Sequence, residues 1–132
     1  MLILPWSKVG YGTKATANVR CLPPNICSED LGRHVREQAV FCDESFGDPR
    51  VINPLLSTTG LRSMRAFINR WNSVVIYFDD QIRVSPTSRE AKGAYWELFK
   101  ETVSLPWDAS DLALGEQIRE AFSACRWGRR DY

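Results

Sequence analysis

Two stretches of this chain repeat one another without a gap. Residues 22–42 read LPPNICSEDLGRHVREQAVFC, and residues 105–125 read LPWDASDLALGEQIREAFSAC. At a constant offset of 83, Leu22-Pro23 falls on Leu105-Pro106, Leu31-Gly32 on Leu114-Gly115, Arg36-Glu37 on Arg119-Glu120 and Cys42 on Cys125. Val35 meets Ile118, and Asn25 meets Asp108. Two copies are too few for a solenoid, which needs about three or more stacked units to bury a continuous core. The repeat instead predicts one strand-turn-helix unit used twice.

Each copy has a physical reading. A proline ends the extended segment, and Asn25 and Asp108, two positions on, are expected N-caps. Asp111 follows near the positive helix start, where a carboxylate is favoured. Leu114, Ile118, Phe122 and Cys125 then form one apolar face, with Glu116, Arg119, Glu120 and Arg126 turned elsewhere. The first copy carries a thinner stripe of Leu31, Val35 and Ala39. Glycine inside a helix costs about 1 kcal/mol relative to alanine. Its placement at both Gly32 and Gly115 therefore predicts close backbone packing, expected here against a sheet.

Between the copies, Asp43 to Ser57 reads as a loop carrying Gly47, Pro49 and Pro54. A short helix is expected from about Leu61 to Trp71, with Leu61, Met64, Ile68 and Trp71 on one side. Ser73-Val-Val-Ile-Tyr-Phe78 and Gln81-Ile-Arg-Val-Ser85 read as a hairpin turning at Asp79-Asp80, with Ile82 and Val84 inward. Pro86 is expected to stop it, with a polar loop over 87–96 and a further strand at Glu101–Leu105. Ala15–Leu22 would be that strand's counterpart in the first copy. The expected fold class is α/β in the α+β sense, one domain over 1–132. It has an antiparallel or mixed sheet with helices packed mainly on one face. The strand-helix unit 15–42 is echoed by 101–125, and a central helix-hairpin spans 61–86.

Composition narrows the function. The 132 residues suit one domain with a real core. A formal net charge of +1 leaves no whole-molecule field to draw in nucleic acid or an anionic membrane. No stretch approaches the roughly 18 apolar residues of a membrane span, and the opening Met-Leu-Ile-Leu is too short for a signal-peptide core. The four cysteines, Cys21, Cys27, Cys42 and Cys125, lack a C-x-x-C pair, so they are expected to be reduced, buried thiols rather than zinc ligands.

Little of the chain reads as catalytic. His34 is the only histidine, on the flank of its helix, and a base needs a nucleophile or an orienting acid beside it. Gly10-Tyr11-Gly12 matches only a fragment of a phosphate-binding glycine loop. No catalytic residue, cofactor or metal is expected. Asp79-Asp80 are good turn formers, or an acidic tip that meets a basic partner. Arg126-Trp127-Gly128-Arg129-Arg130 reads as helix-end chemistry, with cations against the dipole and Gly128 as cap. Of five tryptophans, Trp6, Trp96 and Trp107 fall in loop or turn contexts. Exposed aromatics beside polar groups are enriched at protein interfaces.

The second half of the chain resembles the CdiI-type immunity proteins of bacterial contact-dependent growth inhibition systems. The resemblance rests on Thr59-Gly60 before a short helix, then the run from Ser73 to Pro86. It continues through Lys92-Gly93-Ala94-Tyr95, Val103-Ser-Leu-Pro106 and Leu114-Gly-Glu-Gln-Ile-Arg-Glu-Ala-Phe122. It covers roughly residues 58–125. These are structural motifs, so no interface residue carries over with them.

The resemblance implies a bacterial cytoplasmic protein that binds and neutralises the C-terminal toxin domain of its cognate CdiA, often a nuclease acting on tRNA. Neither nucleic acid nor membrane would be contacted directly, and the sequence leaves the oligomeric state open. Inhibitors of basic nucleases are often acidic, whereas this chain is almost neutral. Either the partner is not strongly basic, or the acids concentrate on one face. Candidate partner-binding residues are Asp79, Asp80, Trp96, Glu97, Glu101, Trp107 and Asp108, with Asp43, Glu44 and Asp48 as a further acidic group. The alternatives are an adaptor or subunit of another complex, and a small enzyme built on His34.

Overall fold

The computed structural model describes residues 1–3, 6–9, 12–15, 19–40, 54–90 and 93–128; within 6–9 and 12–15 and at 54 only the backbone is described. The strands are β1 (Leu2–Ile3), β2 (Trp6–Val9), β3 (Gly12–Ala15), β4 (Arg20–Cys21), β5 (Val74–Phe78), β6 (Ile82–Glu90), β7 (Ala94–Glu97), β8 (Val103–Leu105) and β9 (Arg126–Trp127). The helices are α1 (Ser28–Ala39), α2 (Pro54–Thr59), α3 (Met64–Arg70) and α4 (Asp111–Ala124), with a 3-10 turn at Phe99–Glu101. No helix among the described residues is long and apolar enough to cross a membrane.

The repeat becomes the α1–α4 pair. A Cβ at Gly32 would drive into the backbone carbonyl of Asp111, and a Cβ at Gly115 would drive into that of Ser28. These partners are themselves equivalent at the offset of 83. The two glycines therefore face the opposite helix rather than the expected sheet. As the contact on α1 moves from Ser28 to Gly32, its partner on α4 moves from Gly115 back to Asp111, so the helices cross antiparallel through their first turns. Their apolar faces then close over the sheet. Leu31, Leu114, Ile82 and Val84 are fully enclosed, with Val35, Ile118 and Ala121 in the same core. Each large side chain buried there contributes roughly 1.5–3 kcal/mol.

The repeated prolines make turns, and the caps lie two residues later than expected. Ile26 N–H donates to Pro23 O, and Ala109 N–H donates to Pro106 O, which places Asn25 and Asp108 inside the turns. The N-caps are Cys27, whose Sγ accepts from Asp30 N–H, and Ser110, whose Oγ accepts from Ala113 N–H. The repeat ends at these units. β8 pairs with β6, whereas β4 pairs with β1, so the strands before the two turns join different partners.

Strand β6 is the axis of the main sheet, which is mixed. Its first half is flanked by β5 (Phe78 opposite Ile82, Val74 opposite Pro86) and by β8, both antiparallel. Its second half is flanked by β7, antiparallel, and by β9, parallel. Pro86 does not stop the strand. It stands where β5 pairing ends and β7 pairing begins, so its missing N–H falls at the change of partner. The expected loop over 87–96 is thus the end of β6, a turn closed by Gly93 at φ 91°, and most of β7. Polar residues survive inside because each hydroxyl is satisfied: Ser85 with Thr102 Oγ1 at 2.8 Å, Thr87 with Ser73 O at 2.6 Å, and Ser88 with Gly128 O at 3.2 Å.

A second, smaller core lies around Leu55, Phe67 and Ile68, with Leu61, Met64, Trp71 and Tyr95 against it. The helix expected over 61–71 is shorter, α3 at Met64–Arg70 capped by Ser63. Only Met64 and Ile68 of the expected stripe therefore lie on it, and Leu61 and Trp71 join the same core from the flanking segments. The expected loop over 43–57 gives way to α2, which starts at Pro54, a residue suited to the first helical position. Its part before 54 lies outside the described residues, as do Gly10-Tyr11, Cys42 and the acids Asp43, Glu44 and Asp48. Arg126 and Trp127 form β9 instead of a helix end, because Cys125 already caps α4. The cysteines also depart from expectation: Cys21 and Cys27 are exposed and Cys125 is half-buried, all as free thiols.

The crossing makes a direct prediction. Gly32→Ala and Gly115→Ala should each destabilise the fold by roughly 1–3 kcal/mol through overpacking, despite the gain of about 1 kcal/mol in helix propensity. Urea melts test this. A variant as stable as the parent, or more so, would contradict the crossing.

Candidate functional site

The β5–β6 hairpin ends in a three-residue tip, Asp79–Gln81, one residue longer than the expected Asp79-Asp80 turn. Asp79 binds in two directions. Its carboxylate pairs with Arg83, which holds the carboxyl below its usual range, and its carbonyl accepts a hydrogen bond from the indole Nε1 of Trp107. Trp107 lies in the turn that leads into α4, tilted against Phe78 with ring centroids 6.0 Å apart. The indole is thereby fixed yet remains 49% exposed. Asp80 and Asp108 flank these two residues, so the tip and the turn form one acidic, aromatic corner.

The corner extends across the sheet. Tyr77 is opposite Arg83, whose guanidinium sits 4.9 Å from the centre of its ring. The Tyr77 hydroxyl donates to Glu97 on β7. Burial, then this bond to a carboxylate, pushes the Tyr77 phenol up to about 12. Asp79, Asp80, Trp107 and Asp108 thus come together, with Glu97 joined to them through Tyr77 and Arg83.

Two expected residues lie apart from this corner. Glu101 is on the 3-10 turn, ion-paired with Arg126. Trp96 is not in a loop: it is half-buried in β7, opposite Ser88. Trp6 begins β2, and its side chain lies outside those described. Sequence reasoning passed over Tyr77 and Arg83, because the expected two-residue turn would pair Tyr77 with Ile82; the three-residue tip sets Tyr77 opposite Arg83 instead. It also passed over Phe99, Val103 and Leu112, which are exposed on the segment that leads through Trp107 into α4. Their exposure depends on tertiary packing that no local pattern encodes.

His34 belongs to a different cluster. Arg20 Nη1 donates to His34 Nδ1 at 2.9 Å and to Glu37 Oε2 at 2.5 Å. Arg20 holds the Glu37 carboxyl below its usual range. A guanidinium can only donate, so Nδ1 is the acceptor and the neutral ring keeps its proton on Nε2. The three side chains tie β4 to α1.

The comparisons agree with this fold. The Neisseria meningitidis protein NMB0488, described as of unknown function, superposes with a TM-score of 0.72 at 20% identity, over 95% of this chain and 88% of that one. A chain of the CdiA-CT/CdiI toxin and immunity complex from Yersinia pseudotuberculosis superposes with a TM-score of 0.63 at 19% identity, over 87% and 85%. No curated protein matches the chain. The model of the CDI immunity protein family, CdiI, matches residues 48–125, more than half of the chain. By that match, this chain belongs to the CDI immunity protein family.

Proposed function

We propose that this protein binds the C-terminal toxin domain of its cognate CdiA in the bacterial cytoplasm and neutralises it by covering a surface the toxin needs. It performs no chemistry of its own. The docking face is the corner of Asp79, Asp80, Trp107 and Asp108, extended by Tyr77, Arg83 and Glu97. One observation carries the choice of face: an indole about half exposed, yet held by a hydrogen bond and an aromatic neighbour. Rigid aromatics set among polar groups are the usual anchors of protein interfaces. Acids around the anchor suit a toxin with a basic surface, such as a nuclease, and complementary charge chiefly speeds association and excludes wrong partners. Glu101 and Trp96 stand outside this face.

Co-expression with the toxin encoded immediately upstream tests the function. The chain should restore growth and co-purify with the toxin, and Trp107→Ala should weaken the complex by roughly 2 kcal/mol while the protein stays folded. Failure of the parent chain in both assays would contradict the function. Full affinity in the Trp107 variant would contradict the face.

The polar network makes a prediction that needs no toxin. A phenol raised from 10 to about 12 by folding adds stability that is complete below its unfolded value and is lost as pH climbs through the folded one. An ultraviolet titration should show Tyr77 and Tyr95 ionising late, at about 12. Glu97→Gln should bring Tyr77 back toward 10, its ordinary value. A variant titration that overlays the parent's would show that Glu97 does not act on Tyr77.

A further inference from the structure

Arg36 and Arg119 occupy equivalent places in the repeat, and each crosses to the opposite helix. Arg119 donates to Ile26 O and, at 3.1 Å, to Ser28 Oγ. Arg36 donates to the equivalent acceptors, Ala109 O and, at 2.9 Å, Asp111 Oδ1. One bond breaks the symmetry. Arg36 Nη1 also donates to Trp107 O at 3.2 Å, and the residue equivalent to Trp107 is Pro24. The shared bonds therefore serve the helix crossing, and the additional one grips the turn that carries the exposed indole.

We propose that Arg36 is the positioning residue of the toxin-binding face, an inference that rests on the function proposed above. Its side chain is 26% exposed, and its donors reach the Trp107 and Ala109 carbonyls and the Asp111 carboxylate. The planar guanidinium directs several donors at once, so one group satisfies the two carbonyls and the Asp111 carboxylate. A lysine ammonium keeps the charge but lacks that fork. With Arg36 holding the Trp107 carbonyl and Asp79 O holding its indole, Trp107 is ordered before the partner arrives. An anchor ordered in advance loses less freedom on binding. Arg36 thus sets affinity without touching the toxin.

The internal repeat supplies the control. Arg36→Lys and Arg119→Lys, each made in the full chain, remove equivalent clamps from the same helix pair. The first readout, taken without toxin, is solvent exchange of the Trp107 indole N–H by NMR. The second is the dissociation constant for the catalytically inactivated toxin domain encoded upstream. Arg36→Lys should speed indole exchange and weaken binding, each by roughly tenfold, whereas Arg119→Lys should leave both within about twofold despite a similar fall in melting temperature.

Asp111→Ser, which installs the residue found at the equivalent Ser28, should shift the exchange in the same direction by a smaller factor and guards against misfolding of the lysine variant. Unchanged indole exchange in Arg36→Lys overturns the positioning role whether or not the toxin binds. Equal losses of binding in the two lysine variants overturn it as well. A parent chain that fails to bind the toxin domain while Arg36→Lys still frees the indole would remove the toxin reading and leave the positioning of Trp107 standing.

Discussion

At Gly32 and Gly115 the backbones of two helices come as close as chains can, each glycine against the carbonyl that begins the other helix. No side chain fits between them, so the relative position of α1 and α4 is fixed by backbone shape rather than by side-chain packing that can adjust. The rest of the structure is referenced to that contact. It sets Leu31, Val35, Leu114 and Ile118 at the depth where they meet Ile82 and Val84 of the central strand. It also brings each helix start within reach of an arginine from the other, which fixes the turns at Pro23–Ile26 and Pro106–Ala109.

Both turns lie at the surface. The two are alike in backbone and differ in what they display: Pro24-Asn25 in the first, Trp107-Asp108 in the second. Only the second meets the hairpin tip, through the indole bond to Asp79 O. Rigid parts of the molecule therefore converge on one exposed aromatic with acids beside it. The proposed occlusion needs a surface that holds its shape, and the helix crossing provides it.

Much of this was legible in the sequence because it was written twice. The repeat located both helices, and the paired glycines signalled a close approach, although its partner is the other helix and not the expected sheet. The β-branched run from Ser73, returning through Ile82 and Val84, gave the hairpin. Other features hinge on information that local patterns lack. Pro86 looked like a stop because proline cannot complete a ladder, yet the ladder changes partners at that residue. Ser85, Thr87 and Ser88 looked like loop because they are polar, and they lie inside because Thr102, Ser73 and Gly128 happen to be in reach. Asn25 and Asp108 looked like caps, but the proline turns occupy them and pass capping to Cys27 and Ser110. At the candidate site, Asp79, Asp80, Trp107 and Asp108 were readable by residue type. The Tyr77–Arg83–Glu97 extension and the Arg36 clamp bridge elements far apart in sequence and needed the fold.

Amide hydrogen exchange on the chain alone and with the toxin domain bound tests the account most directly. Protection gained on binding should centre on the hairpin tip and on the turn from β8 into α4, while the β4–α1 cluster of Arg20, His34 and Glu37 exchanges as before. Protection centred on β4 and α1, with the tip and the Trp107 turn unchanged, would contradict it.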